Sequence, residues 1–406
     1  MKRKHLFLSL LVLFLSIAEM NAQEQLFVIE GTVMDKEADM PLPYANVFLA
    51  NTTYGVASDN EGKFRLEVPQ KGPFLLVIRY VGYLPFKQQV TLTEGEVFKV
   101  DVKLEVDIRQ ETVVVTGYRS ATYYEKGDNK VYTRGSEWKK YLRHFEKNFL
   151  GTSEYGRNCK ILNPEVLEFE INEEEESFKA LASAPLQIEN RSLGYRIDYT
   201  LERFDLSFNK MTSQYAGYPF FEELEPKNDK QRLRWKRNRW RAYRGSLRHF
   251  LTAAYHDEIK EKAFDAVTFN VEGYLNHQKS RYEVTLLTKD FYTTFEANDF
   301  LYSKDFPGAK SFRFSDILLV TDGSNIEASN YIRPRQHHMF FEMDPQLSRR
   351  YLQRSWIQLK PGKAIEVASN GYVYNPLDFT VFGYWAYERV GELLPYYFDQ
   401  LSMNDQ

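Results

Sequence analysis

The chain has almost no cysteine, and this absence removes several classes of protein. Among 406 residues there is one cysteine, Cys159. An intramolecular disulfide, a cysteine-rich zinc site and a CxxC redox pair each need at least two cysteines, so all three are excluded. A lone cysteine is typically buried, although the neighbouring Lys160 would favour its thiolate, so a catalytic pair of Cys159 with a histidine stays open.

Recognisable catalytic motifs are also missing. The seven histidines include no HxxE or HExxH zinc signature, and the chain has no GxSxG, GxxxxGK[ST] or GxGxxG motif. His249 and His256 could share one face of a helix, but no third metal ligand accompanies them. We therefore predict a protein that is not an enzyme and has no cofactor or metal. A catalytic carboxylate pair stays open, because its spacing depends on folded geometry.

The chain has neither a large charge excess nor a long apolar run after its N-terminus. The formal net charge is −3 and the isoelectric point is near 6.2, which argues against a wholly basic protein, so we predict no nucleic-acid partner. What is abundant is aromatic residues, because 28 Tyr, 30 Phe and 5 Trp make up 16% of the chain. Since Tyr and Phe favour strands, we expect a β-rich protein.

Residues 1–22 have the pattern of a secretory signal peptide. A basic start at Lys2–Lys4 precedes an apolar run over residues 6–18, and Ala22 offers a small residue for cleavage. The run is shorter than the roughly 20 residues that cross a bilayer, so we predict cleavage, with a retained anchor as the alternative. The expected location is the periplasm, the outer membrane or the cell surface.

Residues 23–108 alternate apolar and polar side chains and turn at short intervals. Phe98 and Val100 alternate with Lys99 and Asp101, which is typical of a strand with one wet face. The seven predicted strands are 27–33, 44–50, 55–58, 63–68, 74–80, 86–92 and 97–104. Short strands joined by turns predict an antiparallel, all-β sandwich.

Several motifs in this region share a family resemblance. They are Gly31-Thr32-Val33, Pro41–Val47, Gly55–Phe64 and Tyr80-Val81-Gly82-Tyr83. Together they resemble the carboxypeptidase-D regulatory-like domain, which is frequent in secreted and outer-membrane proteins of Bacteroidetes. The resemblance implies a transthyretin-like (prealbumin-like) sandwich that serves as a non-catalytic accessory module.

Residues 109–134 form a predicted linker that contains a valine-rich string. Glu111–Tyr118 resembles the TonB box of TonB-dependent transporters, in which Val113, Val114 and Val115 would add a strand to TonB. About 285 residues follow residue 120, fewer than a 22-stranded transporter barrel and its plug need. The string is therefore interpreted first as a linker or a last sandwich strand, with a TonB contact as the alternative.

Residues 135–406 are predicted to form an α+β domain. Helical spacing indicates a helix over 135–151, a helix pair or one long helix over 230–262, and an aromatic-rich helix from Tyr384 that ends at Pro395. The predicted strands are 166–171, 195–201, 267–275, 282–288, 317–321, 356–359 and 364–367. The acidic run Glu173–Glu176 is interpreted as a solvated turn.

One segment of this domain interleaves basic and aromatic residues. The candidate site residues are Arg232, Arg234, Trp235, Lys236, Arg237, Arg239, Trp240, Arg241 and Arg244. Arginine beside tryptophan favours stacking and ion pairing within the protein. The same composition also suits an anionic ligand, such as lipopolysaccharide phosphates, an anionic glycan or the surface of a membrane.

The C-terminal region resembles uncharacterised Bacteroidetes proteins with a carboxypeptidase-like regulatory domain, through Gly151–Pro164, Arg241–Leu251 and Gly383–Pro395. That resemblance implies an architecture and no activity. We predict a non-catalytic binding or scaffolding protein of the cell envelope, linked to nutrient uptake at the outer membrane or to surface assembly, with envelope proteins or glycans as partners. The alternatives are an envelope hydrolase with its active site in this domain, and an accessory protein that contacts TonB. A convergent pocket with two perturbed carboxyl groups, or a contact of Cys159 with a histidine within hydrogen-bond reach, would favour the hydrolase.

Overall fold

A computed structural model describes residues 26–93, 97–107, 123–210, 212–269, 292–294, 300–314, 317–332 and 352–397. The described residues group into two compact units. The first contains residues 26–48 and 54–106, and the second contains residues 49–53 together with everything from Asp107 onward. The domain boundaries near residues 108 and 135 remain a proposal.

The first unit consists of two sheets. Its strands are β1 (Phe27–Asp35), β2 (Asn46–Leu49), β3 (Gly55–Ala57), β4 (Lys63–Val68), β5 (Gly72–Arg79), β6 (Phe86–Leu92), β7 (Val97–Lys99) and β8 (Val102–Leu104). One sheet has the order β4-β1-β7, with β8 also paired to β1, and the other has the order β3-β2-β5-β6. In β4, Phe64, Leu66 and Val68 are buried while the residues between them are exposed, as the alternation predicts. The predicted sandwich is confirmed.

The predicted strand 97–104 differs in detail from the structure. It is divided into β7 and β8, and both pair in parallel with β1, so the sandwich is not antiparallel throughout. At the break, the Asp101 carboxylate accepts hydrogen bonds from the backbone nitrogen of Thr32 at 2.9 Å and from its hydroxyl at 2.6 Å. Gly31 is needed opposite, because a Cβ there would lie 1.7 Å from the carbonyl oxygen of Val100. Side-chain alternation continues through the break, so the sequence pattern does not reveal it.

The second unit mixes strands and short helices, which confirms the α+β prediction. Its first elements are β9 (Tyr123–Lys126), β10 (Asn129–Tyr132), α1 (Gly135–Phe149), α2 (Glu154–Arg157), β11 (Cys159–Ile161), β12 (Leu167–Asn172), β13 (Ser177–Ala182), β14 (Leu186–Asn190), β15 (Tyr195–Ser207) and β16 (Thr212–Glu223). These strands form one sheet of order β11-β14-β15-β13-β12-β10-β9, with β16 paired to β15. The acidic run 173–176 is an exposed turn between β12 and β13, as predicted.

The remaining elements of the second unit build two further sheets. They are α3 (Asp229–Tyr243), α4 (Leu247–Tyr255), β17 (Phe264–Phe269), β18 (Tyr292–Thr294), β19 (Phe300–Tyr302), β20 (Lys310–Phe312), β21 (Ile317–Ile326), α5 (Ser329–Ile332), β22 (Leu352–Leu359), β23 (Ile365–Val367), β24 (Phe379–Gly383) and α6 (Tyr384–Tyr387). The sheet orders are β18-β17-β21-β22-β24 and β19-β20-β23. The predicted strand 282–288 and the end of 267–275 lie outside the described residues.

Aromatic side chains fill the core between α1 and the large sheet. Phe145 and Phe149 are one helical turn apart, are fully buried and stack at 4.7 Å. Their rings also meet Tyr199 and Phe204 of β15, edge to face. Buried rings of this size dominate the hydrophobic free energy of a core. The aromatic excess of the sequence therefore serves packing, as the spacing in α1 predicts.

The long aromatic helix predicted from residue 384 is wrong beyond its first turn. Helix α6 ends at Tyr387, and a 3₁₀ turn follows at Val390–Glu392. The backbone nitrogen of Arg389 donates to the Glu392 carboxylate at 2.8 Å, which starts the new turn, and Gly391 N donates to the carbonyl of Leu150 at 3.0 Å. One local and one long-range hydrogen bond thus replace those that a continuous helix would make.

Candidate functional site

The basic and aromatic residues predicted as a site lie on or just after helix α3. Asn228 caps the helix, because its side-chain oxygen accepts from the backbone nitrogen of Gln231 at 2.9 Å. The helix ends before Gly245, whose φ of +80° turns the chain into α4. Of the two interpretations for 230–262, the helix pair is correct.

One face of α3 is anchored to the turn between β14 and β15. The indole nitrogen of Trp235 donates to the carbonyl of Arg191 at 2.9 Å, and Asn238 donates to that of Ser192 at 2.9 Å. Arg239 donates to the carbonyls of Leu193 at 2.8 Å and of the following glycine at 3.2 Å. Bonds from a charged donor to carbonyl groups are strong. The turn is therefore clamped by side chains from a single helix face.

Arg239 also stacks on an aromatic ring. Its guanidinium carbon lies 3.9 Å from the ring centroid of Tyr195, and it pairs with Glu223 at 3.1 Å. Only 13% of the Arg239 side chain is exposed. Gly194 is required beside this cluster, because a Cβ there would lie 2.3 Å from the Trp235 ring, and its φ is +74°. Trp235 and Arg239 therefore hold the fold together.

The opposite face of α3 points to solvent. Arg232, Arg234, Arg237 and Arg241 are exposed, and Arg232 pairs with Asp229 at 2.9 Å. Lys236 and Arg244 are partly exposed. Two apolar side chains share this face, since Leu233 is 64% exposed and Trp240 is 38% exposed. The nine predicted residues are thus divided between two faces with different surroundings.

The TonB-box-like residues Val113, Val114 and Val115 lie outside the described residues, as do residues 1–22, so both predictions stay untested. No helix in the described ranges is long and apolar enough to cross a membrane.

The cysteine and histidine candidates are placed in packing roles. Burial raises the pKa of the Cys159 thiol to about 12, and the nearby Glu392 carboxylate adds to the rise. Burial lowers the pKa of His249 to about 4, and its Nδ1 accepts from the backbone nitrogen of Gly245 at 3.2 Å. His256 contacts the carbonyl of Ser369 at 3.0 Å. Within the part of the chain that the structure describes, no group of three or more His, Cys, Asp or Glu could hold a metal ion.

A pair of half-buried carboxyl groups, Glu388 and Glu392, was not predicted. Burial, and then the proximity of Glu392 and Asp322, raises the pKa of Glu388 well above its usual range. Burial also raises the pKa of Glu392 to about 7, although hydrogen bonds from Ser153 and from the backbone of Arg389 oppose the shift. Perturbed carboxyl pairs occur at active sites and in structural networks alike.

The hydrogen bonds of Glu392 indicate which of these roles it has. One carboxylate oxygen accepts from the Ser153 hydroxyl and the other from Arg389 N at 2.8 Å. The same segment is held where Asn190 donates to the carbonyl of Gly391 at 2.9 Å. Both oxygens are therefore occupied, one by a side-chain hydroxyl and one by a backbone nitrogen. The sequence signal for such a pair is two glutamates four residues apart in an apolar, aromatic-rich segment, because carboxylates there must find internal partners.

Comparison with known proteins identifies the first unit. Residues 29–115 match the family model of the CarboxypepD_reg-like domain. The chain carries a carboxypeptidase regulatory-like domain. The same region is 34% identical over 113 residues to TonB-dependent receptor P3 of Formosa agariphila, which is consistent with a Bacteroidetes protein. That alignment covers 27% of this chain and 11% of the receptor, so the chain spans about one ninth of the receptor's length.

Solved structures match with low overall similarity. A type II cohesin–X-dockerin complex from Acetivibrio cellulolyticus is 16% identical and covers 19% of this chain and 51% of that chain, with a TM-score of 0.15. A DUF3823 family protein from Bacteroides ovatus is 8% identical and covers 49% of this chain and 82% of that chain, with a TM-score of 0.17. The chain spans about half of the first of these structures.

Proposed function

We propose that this protein is a non-catalytic binding or scaffolding component of the bacterial cell envelope, linked to nutrient uptake at the outer membrane or to surface assembly. The observation that supports it is the carboxypeptidase regulatory-like domain at residues 29–115, in a region similar to a TonB-dependent receptor. A small sandwich of this kind offers rigid strands and loops to a partner. The partners we propose are envelope proteins or glycans.

Three details of the second unit support the non-catalytic part of this proposal. The raised pKa of Cys159 keeps its thiol protonated near neutral pH, and a thiol is a poor nucleophile. The lowered pKa of His249 keeps its ring neutral, while its Nδ1 is occupied by a backbone nitrogen. Both oxygens of Glu392 accept hydrogen bonds, one from the Ser153 hydroxyl and one from the backbone nitrogen of Arg389. The best candidates for an envelope hydrolase thus serve the fold.

Contact with TonB is the second candidate function, and the string around Val113–Val115 is what favours it. An extended valine-rich segment adds readily to an exposed sheet edge. Replacing the three valines by serine keeps the linker length and removes strand propensity. Pull-down of purified TonB should weaken if the string is a TonB box. Equal recovery of TonB by both forms would remove this candidate.

Cell fractionation followed by in-cell crosslinking and mass spectrometry tests the main proposal. The full chain is expected in an envelope fraction, crosslinked reproducibly to one or a few envelope proteins. A chain lacking residues 26–48 and 54–106, which keeps the 49–53 segment of the second unit, serves as the comparison, since those partners should be lost when the first unit is absent. Recovery of the intact protein in the cytoplasm, or an unchanged partner list after deletion, would contradict it.

A further inference from the structure

The solvent-facing side of helix α3 combines positive charge with exposed apolar groups. Leu233, Arg237 and Trp240 are spaced by four and three residues, so they lie along one stripe. Arg234 lies three residues before Arg237 and Arg241 lies four residues after it, so these two arginines form a basic row beside the stripe. Both apolar side chains are exposed, Leu233 to 64% and Trp240 to 38%. The arrangement resembles that of helices that lie in a membrane interface.

Most of the positive charges on this side have no carboxylate partner among the residues that the structure describes. Asp229, the acidic residue of α3, pairs with Arg232, and the nearby Glu222 and Glu223 pair with Arg196 and with Arg239 of the anchored face. The cations without a carboxylate partner among the described residues are Lys230, Arg234, Arg237, Arg241 and Arg244. An array of unneutralised cations attracts an anionic surface over about a Debye length.

The helix presents this array rigidly. The clamp of Trp235, Asn238 and Arg239 on the turn that precedes β15 fixes its rotation about its own axis. A ligand that contacts the exposed face therefore meets side chains whose backbone is already ordered, so binding costs less conformational entropy. Arginine suits phosphate in particular, because its planar guanidinium donates two parallel hydrogen bonds.

We propose that the exposed face of α3 attaches the protein to a membrane surface rich in anionic lipid phosphates. Arg234, Arg237 and Arg241 contact the phosphates, and Leu233 and Trp240 enter the boundary between headgroups and acyl chains. Tryptophan favours that depth because its ring is amphipathic. The inference deepens the proposed envelope function and rests on it for the presence of such lipids, although the surface chemistry can be measured without cells.

Vesicle co-sedimentation tests the proposal with residues 23–406, the predicted mature chain. The probes are vesicles of phosphatidylcholine alone and of an equimolar phosphatidylcholine–phosphatidylglycerol mixture. We expect binding to the anionic vesicles only, weakening as salt rises. Each arginine near an anionic surface contributes about fivefold in affinity, so changing Arg234, Arg237 and Arg241 together to Gln should weaken binding by about a hundredfold.

A matched control separates this face from net charge. Lys139, Arg143 and Lys147 are exposed on α1, and changing all three to Gln removes the same charge elsewhere. That control should change binding by less than about threefold, since only the α3 face contacts the lipid. The variant Trp240→Phe should lose the blue shift and the acrylamide protection of fluorescence that vesicles produce in the parent chain.

Several results would overturn the membrane proposal without touching the envelope proposal. They are equal losses in the two triple variants, equal binding to neutral vesicles, displacement from vesicles by millimolar inorganic phosphate, and retention by an acidic protein but not by anionic vesicles. Circular dichroism of each variant should match the parent, because the changed side chains are exposed. Conversely, vesicle binding as predicted together with cytoplasmic recovery in cells would refute only the envelope location.

Discussion

Glu392 provides the sharpest test of how the second unit is held together. Burial raises its pKa from 4.5 to about 7. Between those two pH values the folded chain keeps a proton that the unfolded chain has released, so stability must fall as pH rises. The contribution is fully present below about pH 4.5 and is lost as pH rises through about 7. At 1.36 kcal/mol per pH unit, the loss is roughly 3 kcal/mol.

The change Glu392→Gln isolates this effect. The amide keeps the shape of the side chain and still accepts from Arg389 N, but it cannot ionise. All five tryptophans lie after residue 107, so tryptophan fluorescence reports unfolding of the second unit. Urea titrations between about pH 5 and about pH 8 should show that the variant loses roughly 2–3 kcal/mol less stability than the parent over this range.

Glu174→Gln provides the control, because Glu174 is exposed in the turn after β12 and the change removes the same charge. The control should keep the pH dependence of the parent. Glu388, whose pKa is raised by burial and by Glu392, makes the parent lose further stability in the same direction. Equal pH dependence of the unfolding free energy in the parent and in Glu392→Gln would refute the reasoning. So would a control that reduces this pH dependence as much as Glu392→Gln does.

Three further predictions concern single contacts in the second unit. Gly194→Ala should cost roughly 2–4 kcal/mol of unfolding free energy in urea titrations, because φ is +74° and a tryptophan ring occupies the Cβ position. The control Gly127→Ala should cost about 1 kcal/mol, because a Cβ there meets open space. Asn190→Ala should cost roughly 2–3 kcal/mol in the same assay, because the carbonyl of Gly391 loses its buried donor. The Cys159 thiol, with its pKa raised to about 12, should react with a disulfide reagent near pH 8 only after unfolding.

The predictable part of the fold is the part that local periodicity determines. The strand Lys63–Val68 has the predicted bounds, because its alternation matches the burial of every second residue. Helix α1 begins at Gly135 as predicted, since Phe145 and Phe149 face one core. The break between β7 and β8 was missed, because an Asp101 side chain that bonds to Thr32 leaves no local trace.

The segment after Tyr384 shows why periodicity fails where distant partners decide. Its aromatic and apolar residues fit a helix, and the helix starts as predicted. However, the turn that replaces the rest of the helix bonds to Leu150, Ser153 and Asn190, which are more than 190 residues away in the chain. Such partners satisfy carboxylate and backbone groups that would otherwise be buried unpaired. Only the folded geometry identifies Glu392 as a group with a shifted pKa.

Helix α3 represents the intermediate case, in which composition indicated a surface but not its boundaries. Trp235, Asn238, Arg239 and Ala242 recur at helical spacing and form the anchored face. A search for apolar periodicity misses this stripe, because Asn238 and Arg239 are polar and are satisfied by carbonyls about 46 residues away. The basic residues that composition groups together therefore include Arg239, which stabilises the fold, as well as the exposed arginines. An anionic ligand should respond to Arg237 and its exposed neighbours, whereas a change at Arg239 should first lower stability.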